Sequence, residues 1–224
     1  MIKLKPFKIR ASASGKIMGA RGIGKTGETY CSNWVKEQIY SRRKEFTSKY
    51  TDKGLIVEDN SLDFIAEQEN LGMLFKNKEF FENDFFTGTP DTILEDFIID
   101  VKNSWDFSTF PLLDEDIPNK DYYHQGQVYM NLTGRKKYKL VYVLSDTPMH
   151  LIEREAYWYA NNNGMEQDDV MEEFIAKMTY PDIPDKHKIK VYEFDYDQKV
   201  IDELESRVKL CRKYIKEKVK DLEL

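Results

Sequence analysis

The chain has 224 residues, 41% of them hydrophobic, 33% charged and 13% aromatic, which is enough to bury one sizeable core and is the composition of a globular rather than a disordered chain. No apolar run nears the roughly 20 residues of a membrane span, and the charges in Met1–Arg10 interrupt the apolar stretch of a secretory signal. A cytoplasmic protein with no membrane partner is expected. The net charge of −6 is uneven: residues 1–53 carry 13 Lys/Arg against 4 Asp/Glu, the remainder 21 against 36. Either a basic face for phosphate beside an acidic body with metal ligands, or an uneven solvated surface, accounts for that split.

No repeat, low-complexity tract or linker divides the chain, so residues 1–224 are read as a single domain. The 3.6-residue period predicts helices from Gly27 to about Lys44 and from Thr51 to about Gln68. Two strands follow, Lys78–Glu82 and Phe85–Leu94, joined by a turn at Asn83-Asp84, and then a third, Phe97–Lys102, rich in β-formers. Asp121–Leu132 reads as a helix and Tyr138–Leu144 as a central strand. Helices near 149–161 and 166–178, a strand over 188–195 and a C-terminal helix from about Gln198 complete an α/β chain with a mixed sheet flanked by helices.

The two cysteines, Cys31 and Cys211, stand far apart and outside any CxxC, so no disulfide framework or four-cysteine metal centre can form and a metal would fall to oxygen or to the three histidines. Chemistry concentrates in the third strand. Residues two apart in a strand share a face, so Asp100 and Lys102 project together. Asp91 ends Gly88-Thr-Pro-Asp91, and a hairpin between the neighbouring strands sets it beside Asp100. Two adjacent carboxylates repel unless a cation lies between them. An all-oxygen set favours Mg²⁺ or Mn²⁺; a surface turn aspartate and a strand-edge ion pair is the plainer account.

In the second helix Leu55, Glu58, Leu62 and Ile65 share a face on which Glu58 is the one charged member. Such a carboxylate needs a metal, a nearby lysine or a place at the edge of the stripe. Gln125 and Tyr129 also share a helical face, as core-facing groups with one satisfied amide. A competing motif is Gly19-Ala-Arg-Gly-Ile-Gly-Lys-Thr26, which fits the phosphate-cradling G-x-x-x-x-G-K-[ST] loop of an ATP-binding protein. That loop must leave a buried strand, whereas Arg10–Gly15 is small and polar, and Gly27 weakens the helix that should follow.

The ordered set Glu58, Gly88-Thr-Pro-Asp91, Asp100-Val-Lys102 and Gln125-Gly-Gln-Val-Tyr129 resembles the PD-(D/E)XK nucleases, in particular the RecB-like branch and the phage lambda exonuclease (YqaJ-like) group. Arg10–Met18, Lys53–Glu58 and Trp105–Pro111 also look like phage recombination exonucleases, and the likeness spans roughly residues 8 to 145. It implies a restriction-endonuclease-like core of order αβββαβ and a deoxyribonuclease, most naturally a 5′–3′ duplex exonuclease of phage-type recombination in a bacterial host cell. Asp91, Asp100, Glu58 and the Val101 carbonyl would hold one or two Mg²⁺, with Mn²⁺ as substitute. Lys102 would position the attacking water, Gln125 would orient Lys102 or that water, and Tyr129 would support the site or touch DNA. Arg10, Ser12, Ser14 and Lys16 would meet phosphates. A single-strand annealing protein and a ring-forming homo-oligomer are the partners the resemblance suggests. Asp100 stands where many members carry Glu, a shorter reach. A catalytically inactive DNA-binding subunit of the same fold is the other reading.

Overall fold

The structure, a computed structural model, describes residues 4–43, 48–220 and 222. Helix α1 (Gly24–Tyr40) starts three residues before the expected Gly27 and ends where Ser41 takes a left-handed conformation; the expected end at Lys44 lies outside the described residues. Helix α2 (Lys49–Gln68) opens on a reciprocal cap. The Ser48 hydroxyl accepts from Thr51 N at 3.3 Å, and Thr51 Oγ1 accepts from Ser48 N at 2.9 Å.

The strands form two sheets. Strands β1 (Ile9–Arg10), β2 (Phe81–Glu82) and β3 (Phe86–Gly88) make a small one in the order β1-β3-β2. Strands β4 (Thr92–Ile93), β5 (Phe97–Asn103), β6 (Lys137–Val143) and β7 (Ile189–Asp195) make the main one in that order. In it β5 and β6 run parallel, joined across the face by helix α3 (Asp121–Thr133), while β4 and β7 are antiparallel to their neighbours. The strand expected over Phe85–Leu94 is therefore two strands in different sheets. Pro90, which has no N–H to give a ladder, interrupts it between β3 and β4. The expected strand over Lys78–Glu82 keeps its ladder only at Phe81–Glu82.

Alternation along β5 sorts the core. Ile98 faces Val128 and Met130 of α3 and the large cluster that reaches α1 and helix α6 (Gln198–Lys218). Ile99 and Val101 face Leu62 and Ile65 of α2. The main sheet is thus mixed and covered by helices on both faces, as the composition of its strands requires. Helices α4 (Met149–Asn163) and α5 (Asp168–Met178) pack together at one side, against Trp105. Gly126 lets α3 lie close on the sheet, because a Cβ there would come within 2.4 Å of the Tyr138 ring.

Helix α2 is turned differently from the expected stripe. Leu62 and Ile65 are buried, but Leu55 is 69% exposed. The residues that face the sheet are Lys53, Val57 and Ser61, one every four positions. Lys53 has no exposed surface, and its ammonium donates to Trp105 O at 2.9 Å and Ser145 O at 2.7 Å, just past the ends of β5 and β6. Ser61 Oγ and Ser145 Oγ both reach Asn103 Oδ1, at 2.6 and 3.0 Å. These bonds tie α2 to the C-terminal ends of the two central strands.

Burial pushes the Lys53 amine down to about 8, against the raising influence of Asp106 and Asp146. With its folded pKa below the unfolded 10.5, the folded state binds fewer protons between those values, so stability rises with pH across pH 8–10.5. Measured by denaturant unfolding against Lys53→Met at each pH, the wild type should gain roughly 2–3 kcal/mol across that window. A constant difference would show that Lys53 keeps its ordinary pKa.

Candidate active site

The antiparallel register of β4 and β5 pairs Thr92 with Ile99. Continued one step, it sets Asp91 opposite Asp100. Asp91 Oδ2 accepts from Val101 N at 2.9 Å, so a side chain takes the place of a ladder carbonyl where Pro90 ends the pairing. Asp100 has no exposed surface. Its Oδ1 accepts from Gln125 Nε2 at 3.0 Å, and the same amide nitrogen donates to the Tyr129 hydroxyl at 3.2 Å. Its Oδ2 lies against the Lys102 ammonium in an ion pair but receives no well-aligned hydrogen bond. The buried Tyr138 hydroxyl, whose pKa is raised by burial and then by Asp100, also receives no well-aligned hydrogen bond.

The charges are strongly interdependent. Burial works to lower the pKa of Lys102, but Asp100 and Asp91 outweigh it and hold the ammonium protonated; it also sits 4.8 Å over the Tyr122 ring. Asp91 is pushed up to about 7, by burial first and by the negative charge of Asp100 second, with Glu58 adding and Lys102 and the Val101 N–H opposing. One lysine does not offset the local negative charge. The Lys102 ammonium faces Asp100 Oδ2 while the adjoining Asp91 carboxyl is driven toward protonation, so two carboxylates share one buried cation.

Glu58, on α2, reaches the same cleft but is ion-paired with Lys76. Among the described residues no three His, Cys, Asp or Glu side chains are gathered closely enough to hold a metal. Asp91 and Asp100 meet; Glu58 is turned to Lys76. The hard oxygen donors at hand are these three carboxylates and the Val101 carbonyl. The cleft has a volume of about 630 Å³, and its walls include Ser12, Glu58, Asp91, Lys102, Tyr122 and Gln125.

The expected phosphate contacts divide. Residues Ala11–Ile17 form a 3-10 helix rather than a loop, and at three residues per turn Ser12 and Ser14 cannot share a face. Ser12 is exposed in the cleft wall. Ser14 is fully buried and donates to Ala11 O at 2.7 Å, which corrects its reading as a DNA contact. Arg10 Nε donates to the Tyr30 hydroxyl at 3.1 Å, and exposed Lys16 lies 5.9 Å over the Tyr30 ring. Tyr129 is 5% exposed, with its ring beneath Gly88, so it braces Gln125 and is not available to touch DNA.

The phosphate-loop alternative fails on context. A 3-10 helix, not a strand, leads into Gly19–Thr26, and Lys25 is 91% exposed on the first turn of α1, 3.5 Å from Glu28. Sequence reasoning missed Lys76, Lys53 and Tyr138 as neighbours of the site. The strand alternation placed Tyr138 on the Asp100 face once β6 pairs with β5, but no local pattern marked the lysines.

A phage-related exonuclease from Haemophilus somnus 129PT has a similar structure, with a TM-score of 0.82 at 25% identity, over 97% of this chain and 97% of that one. An alkaline exonuclease, LHK-Exo, from Laribacter hongkongensis gives 0.67 at 14% identity over 96% of this chain and 91% of that one. LHK-Exo in complex with dAMP gives 0.64 at 16% over 96% and 94%. No family model and no curated protein matches the sequence. The fold is the restriction-endonuclease-like one of those exonucleases.

Replacing Gln125 by Leu takes away the donor of a fully buried carboxylate oxygen, and should cost about 1–3 kcal/mol of stability at pH 7 by denaturant unfolding. Tyr129→Phe, which leaves the bond to Asp100 in place, should cost about 1 kcal/mol or less. Equal losses in the two variants would show that the Gln125–Asp100 bond contributes little.

Proposed function

On the premise that the chain is a DNA-hydrolysing enzyme of the phage-related exonuclease type, within the PD-(D/E)XK nucleases, we propose that it is a Mg²⁺-dependent deoxyribonuclease acting at Asp91, Asp100 and Lys102. The observation that carries this is the buried Asp100 carboxylate, paired with Lys102 and adjoining Asp91, the two of which line the cleft.

Asp91, Asp100 and the Val101 carbonyl would hold the cation, with Glu58 completing the set. A divalent cation so bound, Mg²⁺ or Mn²⁺, supplies charge stabilisation at the scissile phosphate and a lower pKa for the attacking water. Lys102 stays protonated under the two aspartates, so it offers a fixed positive donor to a phosphate oxygen or to the water as negative charge develops. Gln125 holds Asp100 in one orientation and therefore also the ion pair. The Tyr122 ring beneath the ammonium limits where Lys102 can point. Ser12, which also lines the cleft, would donate to a backbone phosphate.

Action at duplex ends with 5′–3′ polarity, a ring-shaped homo-oligomer, an annealing protein as partner and a phage-type recombination role in the host cytoplasm belong to the same reading, supported by the likeness to phage-related exonucleases. No helix among the described residues is long and apolar enough to cross a membrane.

With Mg²⁺, linear duplex should be degraded while covalently closed circular duplex survives, and chelation should stop the reaction. Asp100→Asn and Lys102→Ala should each lower the rate at least about 100-fold with the fold intact by circular dichroism. Cleavage of both substrates would make the enzyme an endonuclease, and wild-type rates in both variants would move the site elsewhere.

A further inference from the structure

Residues 71–80, between α2 and β2, form neither helix nor strand, yet they are fixed along the edge of the cleft. Asn77 N donates to Asp91 O at 2.6 Å and Asn77 Nδ2 to Pro90 O at 3.0 Å. On the other side, Thr92 Oγ1 donates to Phe75 O at 3.1 Å, and Leu74 is buried in the cluster under α2. Lys76 is therefore held between two pinned residues, alongside Asp91. From there its ammonium crosses to Glu58, whose side chain is 13% exposed, while that of Lys76 is 40% exposed.

The pair accompanies the divergence of the three carboxylates: Glu58 is turned to Lys76, with its Oε2 held by the ammonium. We propose that Lys76 is a tethered counter-ion that occupies Glu58 in the metal-free protein and is displaced when a divalent cation enters, so that it sets the metal affinity of the site. The inference rests on the metal-dependent reading above. Lysine suits the task. Its compact charge on a flexible stem makes no bidentate fork with a carboxylate and can swing into the adjacent solvent, whereas an arginine would hold both oxygens. The ammonium holds Glu58 Oε2, and a cation bound at that carboxylate would repel it, so entry of the cation favours displacement of Lys76 into the adjacent solvent. Because the pair is partly exposed, the competition is modest, about two- to fivefold in affinity.

The test uses the full chain without DNA, titrated with Mn²⁺ and read by the electron paramagnetic resonance of the free ion. Lys76→Met should bind Mn²⁺ about two- to fivefold more tightly than the wild type, and Lys76→Arg more weakly. In the wild type, acylation of Lys76 by an N-hydroxysuccinimide ester, followed by mass spectrometry, should rise when Mn²⁺ saturates the site, while Lys78 on the same segment stays constant. Unchanged or weaker binding by Lys76→Met, with binding lost in Asp100→Asn, would overturn the role of Lys76 and leave the metal site standing. No Mn²⁺ binding by the wild type, or wild-type affinity in Asp100→Asn, would remove the metal reading and the counter-ion with it.

Discussion

A carboxylate with no exposed surface must be charge-compensated or protonated, and Asp100 is such a group at the centre of the main sheet. Its surroundings follow from that demand. Lys102 supplies the cation from two positions along the same strand face, and Gln125 supplies a neutral donor from the crossover helix. Asp91 adds a second negative group from across the hairpin. Gly126 brings α3 close enough to the sheet for Gln125 to reach, and Gly88 leaves room for the Tyr129 ring behind it. The arrangement gives one oxygen of Asp100 a hydrogen bond and the other an ion pair with Lys102, and the second carboxylate, Asp91, shares that one ammonium.

The cleft is closed on the α2 side by a second buried charge with a different solution. Among the described residues Lys53 meets no carboxylate at hydrogen-bonding distance; its ammonium donates to two backbone carbonyls at the exits of β5 and β6. That bonding couples the helix bearing Glu58 to the strands bearing Asp100 and Lys102, so the two walls hold a common register. The stretch with the excess of positive charge also reaches the cleft, through Ser12, Tyr50 and Thr51.

Lys76 connects these features. A segment without regular structure is anchored by backbone bonds to Pro90 and Asp91, and it delivers an ammonium to Glu58 from outside both helix and strand. One carboxylate of the three is thereby withheld from the other two. The geometry of the site and its charge balance are set by the same contact.

What the sequence determined by itself is what local period dictates. The alternation of Phe97–Asn103 put Asp100 and Lys102 on one face, and the helical spacing of Gln125 and Tyr129 put them on another. The Gly88-Thr-Pro-Asp91 turn marked where pairing with β5 begins, and the regular helices lie within a few residues of their expected ends. Tertiary packing decided the rest. Which stripe of α2 is buried depended on carbonyls exposed at the ends of distant strands, and these selected Lys53 over Leu55. Ser14 went inside because the 3-10 turn gave its hydroxyl a backbone partner three residues away, and Tyr129 went beneath the site because α3 lies flat on the sheet. The lysine that partners Glu58 comes from an irregular segment, where no period links residue type to direction, so only the folded path of residues 71–80 brought it there.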